Sequence, residues 1–401
     1  MSKTSEKCVL CIASFFKGET FLRELRQLGC HVMLLTGEHL LREPWPREAI
    51  DDLHALPDLY NLDHVIYSVS FLARSQAIDV IVALDDFDVE TAARLREHLR
   101  IPGMGDTTAR YFRDKLAMRM QAQDRGIRAP RFVHILNHMQ IKAFIQTVPA
   151  PWVLKPRSQA SAVGIKKLYD EEELWRTIDS LGDQQSFNLL EEFIPGDVYH
   201  IDSIVLDHSP HFTAVSQYAS PPLDVAHGGG IFCTRTIPSK SKEARRLIVL
   251  NEKIIREFGL VKGVTHTEFI RSKADGHFYF LETAARVGGA HIAELIEAAS
   301  GINLWREWAR IEIADTTTHY QVPESNGKHA GLVLTLARQT EPDTSDYVDE
   351  EICWRLEKGH HVGLIVKSGR ANRIRELTEG YMRRFRKDFH AALPAPDEPT
   401  H

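Results

Sequence analysis

The head of the chain restricts its fold more than any other stretch. Residues 7–13 (KCVLCIA) read as a short buried strand, 21–29 (FLRELRQLG) as an amphipathic helix closed by Gly29, and 31–37 (HVMLLTG) as a second buried strand. Short apolar runs bounded by turn residues carry that reading. A strand, a helix and a strand within about 30 residues form a parallel, right-handed βαβ unit. Residues 78–86 (IDVIVALDD) supply another buried strand and 88–99 a helix, so an open α/β layer fills 1–105. The first βα connection, SFFKGET (14–20), lacks a G-x-G-x-x-G pattern, and no dinucleotide fingerprint is present. Asp85-Asp86 stands at a strand's carboxyl end, where open sheets place ligands, although helix capping accounts for it as simply.

Past the turn-rich IPGMGD (101–106), residues 107–126 read as one helix. WVLKP (152–156) is a strand, followed by a small-residue loop, KKL, and a helix from Asp170. FNLLEEFIPG (187–196) is a strand ending in a turn, and 198–206 with 211–219 form a hairpin. A long helix spans 242–259, strands at 264–272 and 277–283 flank a short turn, and helices start near His291 and Leu304. A smaller α/β region follows, with strands at 330–337 and 361–367 and a Pro-rich tail read as disordered. The expected units are 1–105, 106–186, 187–325 and 326–401, reasonable for 401 residues.

Charge excludes some partners. There are 49 basic against 55 acidic residues, net −6, which favours neither nucleic acid nor an anionic membrane. No apolar run approaches the roughly 18 residues of a membrane span, and MSKTSEK does not read as a signal peptide. Five cysteines, few and odd in number, suit a reducing cytoplasm. Cys8 and Cys11 lie three apart on a strand, so they point to opposite faces and cannot share a metal.

The chemistry-bearing residues fall into three groups. Lys155 ends a buried strand, where a charge needs a reason. The loop after it (157–165, with Ser158, Ser161, Ala162 and Gly164) could bring backbone N–H groups to phosphates or be a plain connector, and Lys115 stands on the preceding helix. Glu191-Glu192-Phe193-Ile194-Pro195-Gly196 suits a hinge, with free backbone groups for a base edge and Phe193 and Ile194 for its ring. Third, Glu268 and Glu282 are equidistant from Asp275, so a hairpin centred there makes them direct cross-strand partners. Directly opposed Cβ atoms lie about 5 Å apart, and two carboxylates so close repel unless a cation lies between them. Oxygen ligands favour magnesium, with manganese as the alternative; two solvent-facing glutamates are the plainer account. Arg286 follows the second strand. His200 and Asp202 share a face, His227 opens a glycine loop at 227–230, and His291 marks a helix start.

The order of these parts resembles the ATP-grasp superfamily, over roughly residues 5–315. The resemblance implies an α/β N-terminal pre-domain, α+β ATP-grasp subdomains gripping ATP, and here a small C-terminal α/β region. It implies that Lys115 and Lys155 contact the nucleotide, that 161–164 cover the phosphates, and that Glu191, Glu192, Phe193 and Ile194 frame the adenine. Glu268 and Glu282 would hold magnesium, and Arg286 the transferred phosphate or acyl-phosphate. Two positions depart from the pattern. Val198 stands where relatives carry a ribose-binding acid, leaving Asp197 or His200 to substitute. Ala284 stands where they carry a metal-binding Asn. Within the superfamily the chain looks most like amino-acid ligases and other carboxylate–amine ligases, acting on a small carboxylate and an amine through an acyl-phosphate, with His227 or His291 orienting substrate or accepting the amine proton. A biotin carboxylase-like or purine-pathway enzyme is the rival, as is a non-catalytic nucleotide binder; a homodimer is left open.

Overall fold

The computed structural model describes residues 6–159, 163–314 and 320–391, without the side chain of His227. Ser161, Ala162 and the tail from 392 lie outside the described residues.

The first unit is the expected open sheet. It comprises β1 (Cys8–Ala13), α1 (Glu19–Gln27), β2 (His31–Gly37), β3 (Asp52–Leu56), α2 (Leu62–Leu72), β4 (Val80–Ala83) and α3 (Val89–Leu99). The strand order is β3-β2-β1-β4, all parallel. Cys8 packs with Leu10 and Ile12 on one face, and Cys11 with Val9 and Ala13 on the other, as the strand's two-residue period requires.

The expected helix over 107–126 is two helices, α4 (Asp106–Arg110) and α5 (Lys115–Asp124). Asp114 breaks it: its carboxylate accepts from the N–H of Leu116 and Ala117, an N-cap inside the run. There follow β5 (Phe132–His134), α6 (His138–Thr147), β6 (Trp152–Pro156), β7 (Lys166–Leu168), α7 (Glu171–Leu181) and β8 (Asn188–Glu192). The four strands form a small antiparallel sheet, β5-β8-β6-β7.

The third part contains β9 (Gly196–Leu206), β10 (Ser209–Tyr218), α8 (Pro222–Gly228), β11 (Phe232–Thr236), α9 (Lys242–Phe258), β12 (Gly263–Ser272), β13 (Phe278–Ala284), α10 (Ile292–Ser300) and α11 (Leu304–Ile313). Its sheet continues through β14 (His329–Leu336), β15 (Ile352–Arg355) and β16 (His361–Ser368), and α12 (Ala371–Asp388) packs on β14 and β16. The order is β13-β12-β9-β10-β11-β14-β16-β15. The strands after 325 thus extend the central sheet. The glycine loop expected at 227–230 is replaced up to Gly228 by α8, which starts at Pro222, a residue preorganised for a helix's first turn. No helix among the described residues is long and apolar enough to cross a membrane.

Candidate active site

A cleft of about 650 Å³ lies between the small sheet and the β12–β13 end of the large one. Lys155 and Val153 of β6, the 191–194 segment, Ile270, Leu281, both glutamates and Arg286 line it. Ile194, Val198, Tyr218 and Ile270 form an apolar cluster there. Phe193 carries the Lys167 ammonium over its ring at 3.6 Å. The N–H groups of Glu192 and Phe193 bond the carbonyls of Arg131 and Pro151. Among the described residues no backbone partner takes the Ile194 N–H.

The glutamate pair is where the hairpin geometry puts it. Glu268 on β12 is registered opposite Glu282 on β13. The route differs from a uniform hairpin: Phe269 pairs with Phe280, so Leu281 is an extra residue in β13, a β-bulge. Tyr218 donates to Oε1 of Glu268 at 2.7 Å, and Lys115 Nζ lies 3.1 Å from Oε2 of Glu282. Each carboxylate keeps a second oxygen with no partner among the described residues. Burial alone would raise the pKa of Glu282, but Lys115 and Lys155 pull it down to about 2. Two carboxylates with one uncommitted oxygen each, beside two lysines and an arginine, fit a magnesium ion shared with phosphates.

The lysines are held from behind. Lys115, first residue of α5 after its Asp114 cap, donates to the Gln159 carbonyl at 2.7 Å. Lys155 is buried with Nζ 2.6 Å from Glu191, whose other oxygen lies 2.6 Å from Arg119 Nε. That second contact is poorly aligned for hydrogen bonding and acts as an ion contact; Nη2 of Arg119 donates to Oε2 at 3.3 Å. Burial pushes the Lys155 ammonium down to about 8, with Glu191 opposing the shift. Glu191 stays ionised, since Arg119 and Lys155 outweigh its desolvation. Glu192 sits at the rim in a fork with Arg131 at 2.8 and 2.9 Å. Arg286 lies 3.3 Å from Asp86 of the first unit, so the acidic end of β4 reaches this cleft.

Other residues fall as follows. Gly164 has φ +71°, and a Cβ there would meet Pro156 at 2.8 Å, which accounts for glycine in the loop; Ser158 is exposed. Asp197 is exposed at the cleft. His200 does not reach it: the ring is fully buried, bonded to Asp202 at 2.7 Å and Thr234 at 2.7 Å. It shares a face with Glu268, but the rings of Tyr218 and His266 lie 4.8 and 5.2 Å from it and it is fully buried, which a two-residue period cannot reveal and which keeps it from the ribose role. His291 does not line the cleft, although Ala290 and Ile292 on either side of it do: its ring lies 4.7 Å from that of Trp354 and Nδ1 3.6 Å from Glu294, on a left-handed backbone at 290–291. His227 stands on α8, whose Leu223, Asp224 and Val225 line the cleft.

Sequence reading missed Arg119, Tyr218 and His266. Arg119 lies four residues after Lys115, one helical turn on the same face, and His266 lies two before Glu268 on a strand. His200, Asp202 and His266 bring three metal-type ligands together. Their contacts of 2.7 and 2.8 Å are hydrogen bonds that use both Asp202 oxygens. The backbone at Gly288 passes close to this cluster: a Cβ there would stand 2.9 Å from His266 and 3.0 Å from Asp202. In this structure the cluster is a hydrogen-bonded network. Desolvation would raise the Asp202 pKa, but the two histidines hold it below the ordinary range. Burial would lower that of His266, but Asp202 pushes it up to about 10.

Comparison with known proteins agrees with this architecture. The ATP-grasp domain family matches residues 148–294 and the ATP-grasp N-terminal domain family residues 22–103. The L-arginine-specific L-amino acid ligase of Bacillus subtilis is 26% identical over 270 residues, 66% of this chain and 64% of that protein. The chain thus spans just under two thirds of that relative's length. In fold, an L-amino acid ligase from Bacillus licheniformis superposes with TM-score 0.74 at 18% identity, covering 97% of this chain and 99% of that one. The biotin carboxylase domain of Hydrogenobacter thermophilus 2-oxoglutarate carboxylase, solved with MgADP and bicarbonate, gives 0.67 at 16% identity, covering 95% and 90%. On both domain matches and on its architecture, the chain belongs to the ATP-grasp superfamily.

Proposed function

We propose that the chain is an ATP-dependent carboxylate–amine ligase, joining an amino acid or small carboxylate to a small amine with release of ADP and phosphate. The observation that carries this is the pairing of Glu268 with Glu282 at one end of a cleft that also presents Lys115, Lys155 and Arg286. The amino-acid ligase relatives and the MgADP-bound neighbour support it. In this reading Ile194 offers its N–H to the adenine edge, between Val153 and Ile270. Lys115 and Lys155 neutralise the phosphates. Glu268 and Glu282 hold magnesium, which when bound neutralises phosphate charge. Arg286, oriented by Asp86, holds the donor carboxylate or the transferred phosphoryl group. The donor oxygen attacks the γ-phosphorus in line and ADP leaves; the amine then attacks the acyl carbon and phosphate leaves. The chain contributes positioning and charge balance, as in other phosphoryl transfers. His227 on α8 is the candidate for taking the amine proton.

The test incubates enzyme, ATP and magnesium with mixed amino acids, and separately with bicarbonate and biotin, following ADP and phosphate. Release with amino acids and appearance of a peptide product is expected. Release only with bicarbonate and biotin would overturn the ligase reading in favour of a carboxylase.

A further inference from the structure

Glu268 is held through a chain of buried polar groups that the proposed chemistry does not use. Its Oε1 accepts from the Tyr218 hydroxyl at 2.7 Å and lies 3.5 Å from Nε2 of His266. Nδ1 of His266 is 2.8 Å from Oδ1 of Asp202, and Nδ1 of His200 is 2.7 Å from Oδ2. An ionised carboxylate only accepts, so both Nδ1 atoms donate to Asp202, and each ring has one orientation. The far end is anchored where Nε2 of His200 meets Thr234 on β11. Asp202 and His200 are fully buried. Opposed β-strands need no charge for cohesion, and taking an ion out of water costs several kcal/mol. The arrangement therefore calls for a return other than packing. The register supplies one: His266 is opposite Asp202 and Glu268 opposite His200, on one face of β9 and β12. The backbone at Gly288, two residues beyond Arg286, closes over the same pair.

We propose that Asp202, His266 and Tyr218 are positioning residues that set the divalent-cation affinity of the cleft by fixing Glu268. Tyr218 and His266 engage Oε1, which turns Oε2 to the cleft beside Glu282. Without them the glutamate is free to rotate, and the cation meets a ligand that must be ordered on binding. Partners of metal ligands elsewhere change affinity by roughly 10–100-fold when removed. This inference rests on Glu268 as a cation ligand, and the experiment separates the two.

The full chain is titrated with Mn2+ in the presence of ADP, with free Mn2+ read by electron paramagnetic resonance. Wild type, Tyr218→Phe and Asp202→Asn are compared, and ADP affinity is measured separately without divalent cation. Both variants should weaken Mn2+ binding about 10–100-fold and leave cation-free ADP affinity unchanged. If Asp202→Asn does not fold, Tyr218→Phe decides, since it removes one oxygen. Wild-type Mn2+ affinity in the folded variants overturns the positioning role alone, as does a parallel loss of cation-free ADP affinity. A wild-type protein that takes up no Mn2+ with ADP overturns the cation reading itself.

Discussion

Arg119→Met probes the charge logic behind Lys155. Glu191 is a buried anion between two cations, with Arg119 and Lys155 each 2.6 Å away. Removing one partner of a buried ion pair costs about 3–5 kcal/mol. Lys155 remains on Glu191 and methionine keeps much of the arginine stem's volume, so the lower figure, about 3 kcal/mol, applies. At about 2.1 cal/mol/K per residue, cooperative unfolding of 401 residues carries roughly 0.8 kcal/mol/K, so Tm falls by about 4 °C. Glu191→Gln should cost more, about 5 kcal/mol or about 6 °C, because it leaves two buried cations facing each other. The assay is scanning calorimetry at pH 7 without nucleotide. A melting temperature for Arg119→Met within about 1 °C of wild type, or a larger loss for it than for Glu191→Gln, would refute the argument. Arg119 also helps hold the Lys155 pKa down, so in its absence any loss of ADP affinity near pH 8 should move to higher pH.

Glu282→Gln should lower ADP release by at least about 100-fold, the scale for one major electrostatic group; wild-type turnover would remove Glu282 from the cation site. His266 has its pKa raised by Asp202, from 6.5 to about 10. Its contribution to stability is therefore fully present below pH 6.5 and lost as pH rises through about 10, because the unfolded chain releases that proton first. Denaturant titrations from pH 6 to 10 should show a falling stability that His266→Gln flattens; an unchanged slope in that variant would contradict the assignment.

What could be read from the sequence was local. The βαβ unit follows from apolar runs with turn residues between them, and the pairing of Glu268 with Glu282 from their distance to one turn. The break before α5 was also local, but an aspartate inside a helical run reads as a surface position until its carboxylate is seen to cap Leu116. Pro222 signalled the start of α8, which the glycines after it obscured. The remaining features depend on long-range pairing. β14 joins β11 across a long separation, Phe232 pairing with Leu334, and no local period announces that it extends the same sheet. The network behind Glu268 needs β9 beside β12 in one register, which sets His266 opposite Asp202. Sequence spacing alone showed that His200 and Asp202 share a face, but not which face or against what.

The bulge at Leu281 has a consequence for how this hairpin can change over generations. Phe280 is buried in the core beneath the sheet, while Leu281 and Glu282 both line the cleft. In an unbroken strand, residues 280 and 282 would share a side, and either the ring or the acid would be in the wrong medium. The extra residue reverses the parity once, between turn and site. Deletion of Leu281 would put Glu282 directly after Phe280, where ordinary alternation faces it to the cleft opposite Glu268, whereas straightening the strand with Leu281 retained would set Leu281 opposite Glu268 and turn Glu282 into the core. A descendant that lost Leu281 would therefore keep the paired glutamates and lose only one apolar side chain from the cleft wall, while one that kept every residue but lost the bulge would keep the lysines and the hinge without the acid pair.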